Sequence, residues 1–259
     1  MGTQNSELRT QNTGRFGRPI IRHAQVGSTN DLAREAARAG AAEGLLILAD
    51  EQVAGRGQRG RLWLAPPGGA ILASLLLRPH TPLVEMFAPT MILGLAVQAA
   101  ARAWGAPAVL KWPNDVLCRG RKLAGILCEA AVSGGRVEWV VAGFGVNVAF
   151  DPAAVGLTDL ATSLQVEIPG PPPDREAVLA RILAEAEARY DRWQAGDYLA
   201  VWTEWQAALV TLGQTVTVDS GDGGIVRGTA LRVAPDGALV LATATGEQRV
   251  VAGVLSVEC

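Results

Sequence analysis

Residues 109–148 read VLKWPNDVLCRGRKLAGILCEAAVSGGRVEWVVAGFGVNV. Three runs within this stretch have the apolar, β-branched texture of strands: Val109 to Lys111, Leu123 to Ala131 and Val137 to Val148. Ser133-Gly134-Gly135 supplies turn residues between the last two, which predicts a hairpin. Pro113 has no N–H to give a ladder, so it ends the first strand and turns the chain. Asn114 and Asp115 are then displayed at a strand end, where ligands are often met, although the same pair suits an Asx-turn capped by its own side chains. Lys122 opens the second strand, and Gly125 inside it implies that another group approaches the backbone closely. Gly143-Phe144-Gly145-Val146-Asn147-Val148 alternates glycine with apolar residues around a polar amide. By itself that pattern reflects packing or a bulge as readily as a site.

Working outward, a helix is predicted from about Pro89 to Trp104, with proline in its first turn and Gly105 as its stop. Before it lie a strand, Ala70 to Leu77, and a buried run, Leu45 to Ala49. Ser28, Thr29 and Asn30 are all N-cap types, and Leu32, Ala33, Ala36 and Ala37 follow at helical spacing up to Gly40. Downstream, a proline-rich stretch from Ile168 to Pro173 breaks the pattern. Asp174 then caps an Ala/Leu/Arg-rich helix to about Trp193, and a second helix carries Trp202 and Trp205, whose bulk suits core packing. From Gln214 short β-runs alternate with turns at Ser220-Gly221-Asp222-Gly223, Pro235-Asp236-Gly237 and Gly246, which reads as a small β-barrel of about four or five strands.

Of 259 residues 49% are hydrophobic and 19% charged, with a formal net charge of −2. A sizeable core is available, and a general nucleic-acid-binding face, which would be strongly basic, is not expected. Cys118, Cys128 and Cys259 form neither a disulfide framework nor a paired metal-ligand pattern, as expected of a reduced, cytoplasmic protein with no protein-held metal. The sequence shows no apolar run of about 18 residues or more, so no membrane span is expected. The polar stretch from Met1 to Arg18 lacks the apolar segment of a signal peptide and is expected to be a flexible tail. Only Lys111 and Lys122 are lysines among the 23 basic residues, and both lie in the stretch quoted above. Since ammonium and guanidinium differ in size and hydration, this points to a requirement for ammonium at one or both.

The strongest local signal is the loop Gly55-Arg56-Gly57-Gln58-Arg59-Gly60-Arg61-Leu62-Trp63. Glycines free the backbone so that successive N–H groups can converge on an anion, and arginines add forked donors suited to phosphate and carboxylate. A solvated basic loop would share that composition. Gly-Lys-Ser/Thr does not follow, so this is neither the nucleotide P-loop nor a dinucleotide fingerprint.

In combination, Ser28-Thr29-Asn30, GRGQRGRLW, KWPND, KLAGIL and GFGVNV resemble the biotin–protein ligase family in sequence and order, closely from Gly27 to Val148. The resemblance implies an α/β (α+β) fold: a mixed-sheet catalytic domain binding biotin and ATP (residues 19–211, after a tail at 1–18), then an SH3-like β-barrel (212–259). It implies that Ser28, Thr29 and Gln52 hydrogen-bond biotin with Asn30 nearby, and that Gly57, Gln58 and Gly125 adjoin it. Gly55, Arg59, Arg61 and Trp63 of the loop, with Lys111, Asn114 and Asn147, would serve ATP and the Mg2+ carried with it. Arg56 and Lys122 would meet the biotin carboxylate and α-phosphate as the catalytic cations, and Asp115 would orient the acceptor lysine. The expected partner is the biotin carboxyl carrier protein of a biotin-dependent carboxylase, with a homodimer open. Two departures stand out. Gln58 replaces a basic residue common in relatives, lowering loop charge, and Glu258 stands where some relatives place arginine, so no site residue is expected in the C-terminal domain. The alternatives are a lipoate or octanoyl ligase of the same fold, a biotin-responsive DNA-binding regulator, for which fewer than thirty residues before Ser28 are too few, and a non-catalytic biotin binder.

Overall fold

The computed structural model describes residues 14–220 and 224–257. A seven-stranded sheet runs in the order β1 (Ile20–Val26), β2 (Leu46–Gln52), β3 (Ala70–Leu77), β7 (Arg136–Asn147), β6 (Arg121–Ser133), β5 (Asp115–Cys118) and β4 (Ala108–Lys111). It is mixed: β1 and β2 are parallel and every other pair is antiparallel. Strand β3 shows how the sheet is covered. All eight of its residues are buried, and their side chains alternate between faces. Ile71, Ala73, Leu75 and Leu77 join the main core beneath α2 (Ala88–Ala103), α4 (Arg175–Gln194) and α5 (Tyr198–Ala207). On the opposite face Leu76 packs beneath α1 (Thr29–Arg38), and Leu72 joins a separate cluster with Phe150. Ser74 falls between Leu72 and Leu76 on that second face, so a polar gap opens between two apolar clusters.

The expected strands, the hairpin and the three long helices are present, α4 with Asp174 as its cap. A four-residue helix, α3 (Leu164–Glu167), precedes α4. Strands β1 and β5 were not anticipated. None of the seven β1 residues, at the sheet edge, is buried, and β5 is only four residues long. Rather than simply ending a strand, Pro113 lies in the turn that returns β4 onto β5, with Lys111 opposite Asp115. The segment 83–103 is long and apolar enough to cross a membrane, contrary to expectation; 67% of its apolar window is buried in the protein, as fits a core helix.

The C-terminal sheet comprises β8 (Thr215–Asp219), β9 (Ile225–Val233), β10 (Leu239–Thr243), β11 (Gly246–Val250) and β12 (Val254–Val257). It is antiparallel in the order β11-β10-β9-β8-β12. It is docked firmly. The buried Trp112 indole donates to Gly237 O at 2.9 Å, the Trp112 N–H donates to Thr211 Oγ1, and one core cluster runs across both sheets. Of the expected tail, residues 1–13 lie outside the described residues, as do Gly221 to Gly223, Glu258 and Cys259. Residues 14–18 differ from a flexible tail: Phe16 is buried against Tyr190, and Arg15 pairs with Glu43, Glu187 and Asp191.

Candidate active site

The polar gap at Ser74 is filled by the start of α1. Ser28, Thr29 and Asn30 are all buried. Gln52, at the end of β2, accepts from the Thr29 N–H at 2.7 Å and from its hydroxyl at 3.0 Å, so it satisfies a free N–H in the first turn of the helix. Ser74 donates to Thr29 Oγ1 and Asn30 Oδ1, while Asn30 Nδ2 donates to Glu129 (2.7 Å) and Leu127 O (3.3 Å). The Asn30 amide and the Thr29 hydroxyl are thus both engaged as donor and acceptor and act as props for the seat, leaving Ser28 and Gln52 for a ligand. A Cβ on Gly143 would lie 2.1 Å from Asn30 Oδ1, which is why β7 carries glycine there.

One row further along the same face, Gly145 pairs with Gly125 and forms a flat floor for the Trp63 indole. Side chains at either position would collide with the ring: a Cβ at Gly145 would meet it at 2.6 Å and one at Gly125 at 3.1 Å. The alternation of glycines in GFGVNV is therefore packing for Asn30 and Trp63, and it shapes the cleft. Lys122 Nζ lies 5.7 Å from the Trp63 ring centre and 2.6 Å from Asp115 Oδ1. Lys111 lies close by. Burial pushes its ammonium below the ordinary lysine value, and Lys122 and Arg61 repel it further, while Asp115 opposes them. Asn114 donates to Ile126 O and its own carbonyl accepts from Ile126 N–H, locking the KWPND turn onto β6. Asn147 donates to Thr162 O, but its buried Oδ1 has no protein partner, and neither has the buried Trp63 Nε1.

The Gly55–Arg61 loop closes on itself through Gly57 N–H to Arg61 O and Trp63 N–H to Gly55 O. Arg56 makes a two-pronged pair with Asp31 of α1 at 2.5 and 3.0 Å, and Arg34 shares the same carboxylate. The loop therefore has a counter-charge, which its own composition conceals. The Arg56 hydrogen bond is the main cause holding the Asp31 carboxyl below its usual range, and Asp31 raises Arg56 in return. Arg59, expected at ATP, points away instead. With φ at +57° it donates to the carbonyls of Asp219, Ser220 and Ala252 in the C-terminal domain.

These groups line one cleft of about 510 Å3. Ser28, Thr29, Asn30, Gln52, Arg56, Gly57, Gln58 and Gly125 face it, as do Arg61, Trp63, Lys111, Asn114, Asp115, Lys122 and Asn147, whereas Gly55 and Arg59 do not. Its polar seat, its cations (Arg61, Lys111, Lys122) and the Trp63 indole line the same cleft. Sequence reasoning missed Ser74, Glu129 and the wall from Leu157 to Ala161. It also left out Gly253 to Leu255, by which the C-terminal domain does contribute to the cleft. Ser74 could have been found, as the lone polar residue of the AILASLLL strand. The 157–161 wall carries no motif.

The fold and cleft define an α/β ligase class, and comparison agrees. Residues 23–147 match the model of the Biotin/lipoate A/B protein ligase family, and residues 211–257 match the Biotin protein ligase C terminal domain. The chain is 34% identical to the bifunctional ligase/repressor BirA of Bacillus subtilis, covering 91% of this chain and 73% of that one. It is 37% identical to the biotin–[acetyl-CoA-carboxylase] ligase of Mycobacterium tuberculosis, over 84% and 81% of the two chains. The structure of the Aquifex aeolicus biotin protein ligase in complex with biotin and ATP is similar at a TM-score of 0.77 and 27% identity, covering 93% of this chain and 99% of that one. The chain belongs to the biotin protein ligase family.

Proposed function

We propose that the chain joins biotin to a lysine of a biotin carboxyl carrier protein in two steps within this cleft. The observation that carries the reading is that a polar seat (Ser28, Gln52) and a cluster of cations (Arg56, Arg61, Lys111, Lys122) line one cleft with the Trp63 indole. In the first step the biotin carboxylate attacks the α-phosphorus of ATP and pyrophosphate leaves. Two anions must approach, so cations that neutralise both lower the barrier. Ser28 and Gln52 hold the ureido ring, with Thr29 fixing Gln52. Arg56 exchanges Asp31 for the biotin carboxylate, Lys122 faces the α-phosphate, and Lys111 and Arg61 face the outer phosphates. The unpartnered Asn147 Oδ1 suits an amino donor such as that of adenine. In the second step the acceptor amine attacks the acyl-adenylate carbonyl and AMP leaves. Asp115, although paired to Lys122, keeps 23% of its side chain exposed and is available to orient the incoming lysine amine.

Magnesium enters with ATP. Mg2+ held chiefly by phosphate oxygens needs only one or two protein oxygens. The Asn114 amide oxygen and the carboxylates of Asp115 and Asp159 line the cleft as candidates, and among the described residues no group of three acidic, His or Cys side chains forms a dedicated cage. The test is intact mass of a purified carrier domain after incubation with the protein, ATP and equal concentrations of biotin and lipoate. One added biotinyl group is expected; addition of lipoyl in preference to biotin would overturn the reading.

A further inference from the structure

We infer that Glu167 is a positioning residue that sets Lys122 and Asn147 in register with each other. Its carboxylate is completely buried, outside the cleft, at the C-terminal end of the short helix α3. A buried carboxylate must be paired and hydrogen-bonded to be tolerated. Here Arg119 donates to Oε2 at 2.6 Å, and Oε1 accepts from Arg121 at 3.0 Å and from the Thr162 hydroxyl at 2.7 Å.

Each partner leads to the site by one covalent or hydrogen-bonded step. Arg119 and Arg121 flank Gly120 in the turn that enters β6, so Glu167 fixes that turn immediately before Lys122. Thr162 belongs to a segment that lies parallel to Lys122 and is bonded to it twice: Lys122 N–H donates to Leu160 O at 3.0 Å and Thr162 N–H to Lys122 O at 2.9 Å. The Thr162 carbonyl also accepts the Asn147 amide at 2.9 Å, the bond that points Asn147 Oδ1 away from protein partners. One carboxylate therefore fastens the residues that carry these two cleft-lining groups through a common segment. The biotin seat, built from α1, β2 and β3 and tied to β6 only further along, at Leu127 and Glu129, shares none of these bonds.

The inference rests on the roles given above to Lys122 and Asn147. It predicts an asymmetric defect. Glu167→Gln keeps the shape but loses the charge that holds two guanidinium groups. In biotin-dependent pyrophosphate exchange, kcat should fall by roughly ten- to a hundredfold, the scale of a small misplacement of reacting groups, and KM for ATP should rise. KM for biotin should stay within about twofold, because the seat is untouched, a split that general loosening of the fold would not produce. Thr162→Val, which removes one hydrogen bond at constant volume, should move the same two constants in the same direction by less, and it decides the matter if Glu167→Gln does not fold. Wild-type constants in a folded Glu167→Gln protein, or in Thr162→Val where Glu167→Gln fails to fold, overturn the inference. So does an equal rise of both KM values. Absence of exchange in the wild type would instead overturn the underlying reading of the site.

Discussion

The slot formed by Gly125 and Gly145 makes a measurable claim about Trp63. Gly145→Ala would place a methyl 2.6 Å from Trp63 Cε2 and 2.7 Å from Cζ2. Ordinary carbon–carbon contact is about 3.5–4.0 Å, so the ring must retreat by roughly 1 Å. Strand β7 cannot yield, because β3 and β6 hold it from both sides. The loop that carries Trp63 can, so the strain falls on the arrangement of the cleft and little of it on the core. Overpacking of this kind costs about 1–3 kcal/mol. Expressed as affinity, at about 1.4 kcal/mol per factor of ten, it corresponds to ATP binding weakened roughly five- to 150-fold. Isothermal titration of ATP into the biotin-loaded protein measures it, with thermal unfolding of the ligand-free protein alongside. The ligand-free midpoint should drop by no more than about 4 °C, the shift given by about 1 kcal/mol in a chain of this size. Unchanged ATP affinity, or a large fall in midpoint with normal affinity, would refute the assignment of these glycines to the indole floor.

Three further outcomes follow from the cleft's charges. Lys122→Ala should slow adenylate formation by about 2.7–4 kcal/mol of barrier, a hundred- to a thousandfold, in rapid-quench measurements; a rate within a few-fold of wild type would remove Lys122 from the chemistry. Asp31→Asn should tighten biotin binding by up to about fivefold, since exposed ion pairs are worth about 0.2–1 kcal/mol and Arg56 no longer has to leave one. Amides of the Gly55–Arg61 loop should exchange faster in the same variant without ligand, and weaker biotin binding there would show that Asp31 aids the bound state. Lys111 is held below its ordinary 10.5, so ATP affinity should decline as pH rises through that lowered value. Over the same window the unfolded chain binds more protons, so stability rises with pH while affinity falls. Lys111→Arg should abolish the alkaline decline, and an affinity in the wild type that stays flat up to pH 10.5 would contradict the assignment.

The parts of the molecule legible in the sequence were those where one local rule suffices. Strand Ala70–Leu77 is apolar on both faces apart from Ser74, follows Gly68-Gly69 and stops before Pro79, and Asp174 caps its helix with its own side chain. The loop and KWPND were each ambiguous, since a solvated basic loop and an Asx-turn share those residue types, and pointed to a site only through their order and spacing with the other motifs. What could not be read depended on partners distant in sequence. Arg59 carries the same guanidinium as Arg56 and Arg61, yet the carbonyls of Asp219, Ser220 and Ala252 draw it out of the cleft. Asp31, 25 residues before Arg56, gives the loop its counter-charge. Asn30 was chosen for the right place, but Ser74 and Glu129 consume its hydrogen bonds. Strand β5 is too short for a periodicity to show.

The central claim, that this cleft makes an acyl-adenylate from biotin and ATP, is tested most directly by exchange of labelled pyrophosphate into ATP without any acceptor protein. The account predicts exchange that requires biotin, is not supported by lipoate, and is lost in Lys122→Ala. Absence of exchange with biotin, or equal exchange with lipoate, would contradict it.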